Sequence, residues 1–278
     1  MKYRIIRRLG SGGFGNVYEV QASDGKIYAM KLLRDFSTVN KQRFETEIKI
    51  LAQLNHLNIV KIFEWNLGGD PPDYSPWYTM EYLPGGSLRT HMDDKFKGAY
   101  VFHRNWALNT IILPACHALA QAHSAGIYHR DLKPDNIMYT SNDRVQIKIT
   151  DWGLGRDIGR KSIALTASIG QVGGTPIYCA PEQWFALDTI DGRADIYSLG
   201  VIFYEMMTGR TPPTYDQKHN SLKRPRRVDV PSKYHPTITR ELDACMLKML
   251  ELDPEKRYQS VWQLISEIES LPDARYFY

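Results

Sequence analysis

The chain has 278 residues, 43% of them hydrophobic and 24% charged, with a formal net charge of +4. That length suits about two domains or one bilobal unit, which buries enough surface to need no disulfide staples. The composition excludes a disordered, collagen-like or fibrous chain, and so mild a charge excludes nucleic-acid binding by overall charge, so no nucleic-acid partner is expected. Cys116, Cys179 and Cys245 are far apart and show no metal or disulfide spacing, which fits a reducing compartment and a cytoplasmic location. Residues 1–8 lack the apolar core of a signal peptide. The most apolar run, residues 196–207, is broken by Ser198 and Glu205 and is too short to span a bilayer; a tether outside this chain stays open.

In chain order, residues 3–9 and 17–22 read as strands flanking the glycine-rich run Gly10-Ser11-Gly12-Gly13-Phe14-Gly15. Asp24-Gly25 makes a tight turn into a third strand, 26–33. Phe44, Ile48, Leu51 and Leu54 then recur at helical spacing, so 40–54 is an amphipathic helix. Residues 59–65 and 77–82 are two further strands, joined by a Pro-rich connection over 66–77. After Pro84-Gly85-Gly86 the pattern turns helical: 105–125 with a kink at Pro114, then 193–208, 239–250 and 259–270. The fold class is α+β and bilobal, with a small β-rich N-lobe (1–82) and a larger helical C-lobe (83–278).

The glycine run lies between two strands rather than opening a helix, which argues against a dinucleotide fold. Glycines there let backbone N–H groups approach phosphate oxygens; a plain hairpin tip is the alternative. Lys31 shares a strand face with Ala29 by the period of two, and an inward lysine needs an anionic partner. Glu47, bordering the apolar face of helix 40–54, can supply it, although both residues could equally be solvated.

The densest signal is His129-Arg130-Asp131-Leu132-Lys133-Pro134-Asp135-Asn136, followed by Asp151-Trp152-Gly153. Alternation at Val145, Ile147 and Ile149 after the turn formers Ser141-Asn142-Asp143 predicts a hairpin centred between residues 143 and 144. That register sets Asn136 opposite Asp151, with Cβ atoms roughly 5 Å apart, where an amide and a carboxylate oxygen can share Mg²⁺. Asp131 and Lys133 lie on one side of an extended segment, an acceptor for a hydroxyl proton beside a cation for a phosphate.

With these residues the chain resembles the protein kinase domain, from about residue 3 to about residue 270. The resemblance implies ATP as phosphoryl donor with Mg²⁺, or Mn²⁺ in its place. Gly10, Gly12 and Gly15 would cover the phosphates. Val17, Ala29 and Met138 would line the adenine pocket, with Met80 at its rear and backbone groups of Glu81 and Leu83 at its edge. Lys31, paired with Glu47, would hold the α- and β-phosphates, Asp131 would be the base, Lys133 would touch the transferred group, and Asn136 and Asp151 would be the metal ligands. It further implies a docking segment over residues 174–182, an ion pair from Glu182 to Arg257, a brace from Asp195 to the catalytic loop, and an apolar spine of Leu51, Ile62, His129 and Trp152. Trp152 departs from the family's usual Phe, which puts ordinary inactive-state geometry in doubt.

Lys133 and the run Gly174-Thr175-Pro176 resemble serine/threonine kinases, so the implied partner is a protein bearing Ser or Thr. Arg130 before the base implies a loop ordered by its own phosphorylation. The hydroxyls available are Ser162, Thr166, Ser168 and Thr175, with Thr166 or Ser168 expected to activate. The competing classes are a nucleotide-binding pseudokinase, which would normally lack Lys31, Asp131 or Asp151, and a small-molecule phosphotransferase, which would not need the docking segment. The basic run 218–227 reads as a solvated loop, with a site for acidic substrates or a nucleic acid as the alternative.

Overall fold

In this computed structural model the described residues are 2–11, 15–35, 37–68, 75–98, 101–152, 176–185, 190–213, 215–216, 221–222 and 228–272. Gly12, Ser162, Thr166, Ser168 and Thr175 lie outside them, as do residues 69–74 of the Pro-rich connection and most of the basic run.

Five strands form one antiparallel sheet: β1 (Tyr3–Ser11), β2 (Gly15–Ala22), β3 (Ile27–Leu33), β4 (Ile62–Asn66) and β5 (Trp77–Met80), in the order β1-β2-β3-β5-β4. Gly25, at φ +85°, makes the turn between β2 and β3, a conformation glycine adopts without steric cost. Helix α1 (Thr38–Gln53) starts two residues earlier than expected because Ser37 caps it, its Oγ accepting the Asn40 N–H at 3.4 Å. α1 turns Phe44, Ile48 and Leu51 toward the sheet and buries Glu47 with them.

The remaining elements are mostly helical. Helix α2 (Leu88–Lys97), which the hydrophobic pattern did not reveal, follows the cap Ser87, whose Oγ accepts the Thr90 N–H at 3.2 Å. The long helix predicted over 105–125 is split into α3 (Arg104–Trp106), a π-helical stretch (Ala107–Ile112) and α4 (Leu113–Ser124). The cause is Pro114, which has no N–H to give and whose ring crowds the carbonyl four residues back; the wider π turn relieves both. Helix α5 (Glu182–Phe185) is short. Helix α6 (Arg193–Thr208) is buried along nearly its whole length and ends at Gly209 in the left-handed region, φ 68°. Helix α7 (Arg240–Met249) packs against it, and α8 (Val261–Ser270) packs against α4 and α7.

The hairpin of β6 (Ile137–Tyr139) and β7 (Ile147–Ile149) corrects the expected register by one residue. Ile137 faces Ile149 and Tyr139 faces Ile147, so the turn is centred on Asp143 itself. Arg144 takes a left-handed conformation (φ 58°), and Asp143 Oδ1 accepts both Ser141 Oγ–H and the Val145 N–H, making an odd-numbered loop. Asn136 therefore does not face Asp151. It ends a 3-10 turn (Pro134–Asn136), and its carbonyl accepts the Thr150 N–H at 2.9 Å.

Candidate active site

The site is built where the sheet meets the β6–β7 hairpin. On β3, Lys31 pairs in register with Val17 on β2 and Tyr78 on β5, and Ala29 pairs with Met80. Lys31 is 3% exposed, and its Nζ donates to Glu47 Oε1 at 2.7 Å and to Asp151 Oδ1 at 2.8 Å. Tyr78 donates its hydroxyl to the same Glu47 oxygen at 3.0 Å. Burial alone would pull the Lys31 ammonium down, but Asp151 and Glu47 hold it well above the usual lysine range. The Lys31 ammonium in turn keeps Asp151 below the usual carboxylate range. Asp151, at φ 57°, leaves the strand direction and turns its half-exposed side chain to Lys31.

Asp131 and Lys133 do share one side: Lys133 Nζ donates to Asp131 Oδ2 at 2.9 Å. Burial opposes the Lys133 charge, yet the Asp131 carboxylate raises that ammonium above its ordinary value. Asn136 Nδ2 donates to the Asp131 carbonyl at 2.9 Å, which leaves its amide oxygen as the group turned elsewhere. The loop is held from below by Asp195 on α6, fully buried, whose Oδ1 accepts the Arg130 N–H (2.7 Å) and whose Oδ2 accepts the His129 N–H (2.9 Å). His123 Nε2 lies 2.8 Å from the same Oδ2. Arg130 sits at φ 61°, a strained conformation for a side-chain-bearing residue, and its guanidinium donates to the Ile190 carbonyl at 2.7 Å. His129 stacks edge-on against Trp152, centroids 4.9 Å apart, and Leu51, Ile62 and Trp152 are buried in one apolar cluster.

Of the glycines, Gly15 is demanded by space: a Cβ there would lie 2.4 Å from the Leu32 carbonyl, whereas one at Gly10 would meet nothing. Met80 and Leu83 are half-buried against the core, and Met138 forms a bridge with Ser87. Glu81 spends its backbone N–H on the Lys61 carbonyl (3.0 Å), so its own carbonyl is the group it can offer at the cleft edge.

Around the docking segment, Arg257 binds Glu182 through both guanidinium ends, at 2.6 and 2.8 Å. Three polar nodes escaped sequence reasoning. Tyr178 donates to Glu205 Oε2 at 2.5 Å while Arg89 Nη1 bonds both the Tyr178 hydroxyl and Glu205 Oε1 at 3.0 Å. Gln183 Nε2 donates to the Arg130 carbonyl at 2.8 Å. Lys148 Nζ lies 3.0 Å from Glu81 Oε2. The signal was present for Glu205, which interrupts an apolar helix, because a carboxylate in such a run must be buried and paired.

Asp151 and Asn136 offer hard oxygen donors on either side of the Thr150–Asn136 hydrogen bond. Among the described residues no group of three or more His, Cys, Asp and Glu forms a metal cage. One carboxylate with one amide oxygen is the donor set of Mg²⁺ that keeps waters and phosphate oxygens for its other positions, so the residues fit that ion.

Residues 3–268 match the protein kinase domain, and the chain belongs to that family. It is 34% identical over 93% of its length to the serine/threonine-protein kinase Pkn1 of Myxococcus xanthus. It is 33% identical over 96% of its length to the serine/threonine-protein kinase PknB of Mycolicibacterium smegmatis. The chain spans 36% and 42% of those two proteins, so it corresponds to one part of each. The crystal structure of the Mycobacterium tuberculosis PknI kinase domain superposes with a TM-score of 0.71 at 27% identity, covering 96% of this chain and 95% of that one. No helix among the described residues is long and apolar enough to cross a membrane.

Proposed function

We propose that the chain is an ATP-dependent protein kinase that transfers the γ-phosphoryl group to serine and threonine hydroxyls of proteins. The observation that carries the reading is Lys31 bonded at once to Glu47 and Asp151, within a cleft that also holds the Asp131–Lys133 pair. ATP would lie between the units 1–82 and 83–278, its adenine against Val17, Ala29, Met80 and Met138, with the Glu81 carbonyl and Leu83 backbone at its edge. Gly10, Gly12 and Gly15 would cover the phosphates, and Lys31 would hold the α and β groups while anchored by Glu47. Bound by Asn136 and Asp151, Mg²⁺ (or Mn²⁺, which accepts the same donors) would neutralise phosphate charge and polarise the γ-phosphorus. The substrate hydroxyl oxygen forms a bond to that phosphorus as the bond to the β–γ bridging oxygen breaks, ADP departs, and Asp131 takes the hydroxyl proton. Lys133 stabilises the transferred oxygens. Phosphorylation of Thr166 or Ser168 would supply a charge for Arg130 to pair with, and Ser162 and Thr175 are the further hydroxyls the resemblance implies. A cytoplasmic setting supplies both ATP and Mg²⁺.

Incubation with γ-labelled ATP, Mg²⁺ and a generic protein tests the reading. Label is expected on Ser and Thr of the protein and on the chain itself, and Asp131→Asn is expected to lose it by at least about a hundredfold. Label on neither, with nucleotide still bound, points instead to a pseudokinase.

A further inference from the structure

The proposed mechanism has no use for Lys148, yet this residue is only 9% exposed and its ammonium is saturated. Its three donors reach the Leu57 carbonyl (2.9 Å), the Ile59 carbonyl (3.3 Å) and Glu81 Oε2 (3.0 Å). Its neighbours Ile147 and Ile149 point into the core, so the period of two sends Lys148 the other way. It stands opposite Met138 in the hairpin, on the face assigned above to the adenine. Glu81 is gripped from a second side as well: its Oε1 accepts the Lys61 N–H at 3.2 Å, and its own N–H donates to the Lys61 carbonyl.

The segment between α1 and β4 is therefore clamped on both flanks. Toward β7, Asn58 Nδ2 donates to the Ile147 carbonyl (2.9 Å), Ile149 N–H to the Asn58 carbonyl (2.8 Å) and Val60 N–H to the Ile149 carbonyl (3.0 Å). Toward the end of β5, the one side-chain link from β7 among the described residues is Lys148 to Glu81. This one ammonium thus joins the strand leading to Asp151, the turn leaving the helix of Glu47, and the residue whose carbonyl edges the nucleotide cleft. A short polar side chain at 148 could not span these groups, and an apolar one would leave two carbonyls and a carboxylate without their donor.

We propose that Lys148 is a positioning residue for nucleotide binding: it latches Glu81 to β7 and to the turn after α1, and so presets the edge of the cleft before ATP arrives. The inference rests on the nucleotide-binding reading given above. Its effect falls on nucleotide affinity more than on the chemical step, because Lys148 touches none of Lys31, Asp131 or Asn136.

The test compares wild type, Lys148→Met and Glu81→Gln in the full chain. Two quantities are measured: steady-state phosphotransfer at varied ATP, and the Kd of a fluorescent ADP analogue. Lys148→Met is expected to raise the KM for ATP and the analogue's Kd about tenfold, the effect of losing one charge-assisted hydrogen bond. Its kcat per folded molecule should stay within about twofold. Glu81→Gln keeps a hydrogen-bonding side chain and should raise both constants less, by about threefold; it also decides the matter should Lys148→Met not fold. Unchanged KM and Kd in the folded variants would overturn the proposal. So would a fall in kcat at constant KM, which is the mark of a merely structural lysine. If wild type transferred no phosphate, the analogue's Kd would still decide: a shift supports the latch although the kinase reading fails, and no shift removes both.

Discussion

Arg257→Met would strip a buried ion pair of its cation. Arg257 is 2% exposed and uses every guanidinium donor. Nε donates to the Glu251 carbonyl, Nη1 to Glu182 Oε1 and the Arg193 carbonyl, and Nη2 to Glu182 Oε2 and the Leu252 carbonyl. Its plane also lies 4.9 Å from the Tyr197 ring. Methionine fills the space of the aliphatic stem, so the cavity contribution is small. What remains is a carboxylate, only 16% exposed at Glu182, with its cation gone, and three backbone carbonyls that lose the same donor. Removing one partner of such a pair costs about 3–5 kcal/mol; partial hydration of Glu182 places the effect near the lower bound, about 3 kcal/mol. For a domain of this size that is a fall of about 6–12 °C in the thermal midpoint. Differential scanning fluorimetry reads it directly. The double variant Glu182→Gln/Arg257→Met should recover about 1–2 kcal/mol over Arg257→Met, because an amide is less costly to leave unpaired than a carboxylate. A midpoint within about 2 °C of wild type, or a double variant no more stable than Arg257→Met alone, would refute the reasoning.

Asp195→Asn keeps the shape of the brace but turns an NH₂ toward one of the two backbone N–H groups that Asp195 now receives. Stability should fall by about 1–3 kcal/mol. The kcat should drop at least about tenfold as Arg130 loses support for its left-handed conformation, and an unchanged kcat in folded protein would dismiss the brace. His91 bonds the Tyr139 hydroxyl at 2.9 Å and packs edge-on against Phe102 and Trp106; burial pushes its pKa from 6.5 down to about 4. The unfolded chain thus takes up a proton as pH falls below 6.5 while the folded one resists until about 4. The stability contributed by neutral His91 is full above that window and lost on descending through it. Urea midpoints at pH 7 and pH 5 should therefore fall less for His91→Phe than for wild type, and equal declines would count against the assignment.

Much of the candidate site was legible because it sits at short sequence separations. Asp131, Lys133 and Asn136 come within one loop, and Lys31 and Glu47 follow from a strand period and a helix period that meet. The register of the β6–β7 hairpin was not legible. Alternation places the strands, but a one-residue difference depended on Arg144 entering the left-handed region, which nothing in that side chain advertises. The π stretch before Pro114 was half legible: the proline announced an interruption, but not that the helix would widen and continue. Helix α2 was hidden because its buried positions, Leu88, His91 and Met92, include a histidine that reads as polar.

Long-range polar partners were the least legible from local pattern: the Glu182–Arg257 pair and the Asp195 brace came only with the family resemblance, and Lys148 not at all, yet these groups have a common physical logic. Lys31, Lys148, Asp195 and Arg257 are each buried, and each binds partners more than sixty residues away or on a separate element. Burying a charge is favourable only when its full set of partners is in place. Arg257 has five donors and five acceptors drawn from three segments, so a chain with any one segment displaced leaves a charge or carbonyl unsatisfied in the interior. Apolar packing around α6 tolerates small shifts at little cost; these nodes do not. The arrangement of the candidate catalytic groups is therefore set less by the hydrophobic core than by a few buried ions that are fully bonded in one geometry, and such partners cannot be read from local pattern because the pattern at each residue records only that it must have some partner.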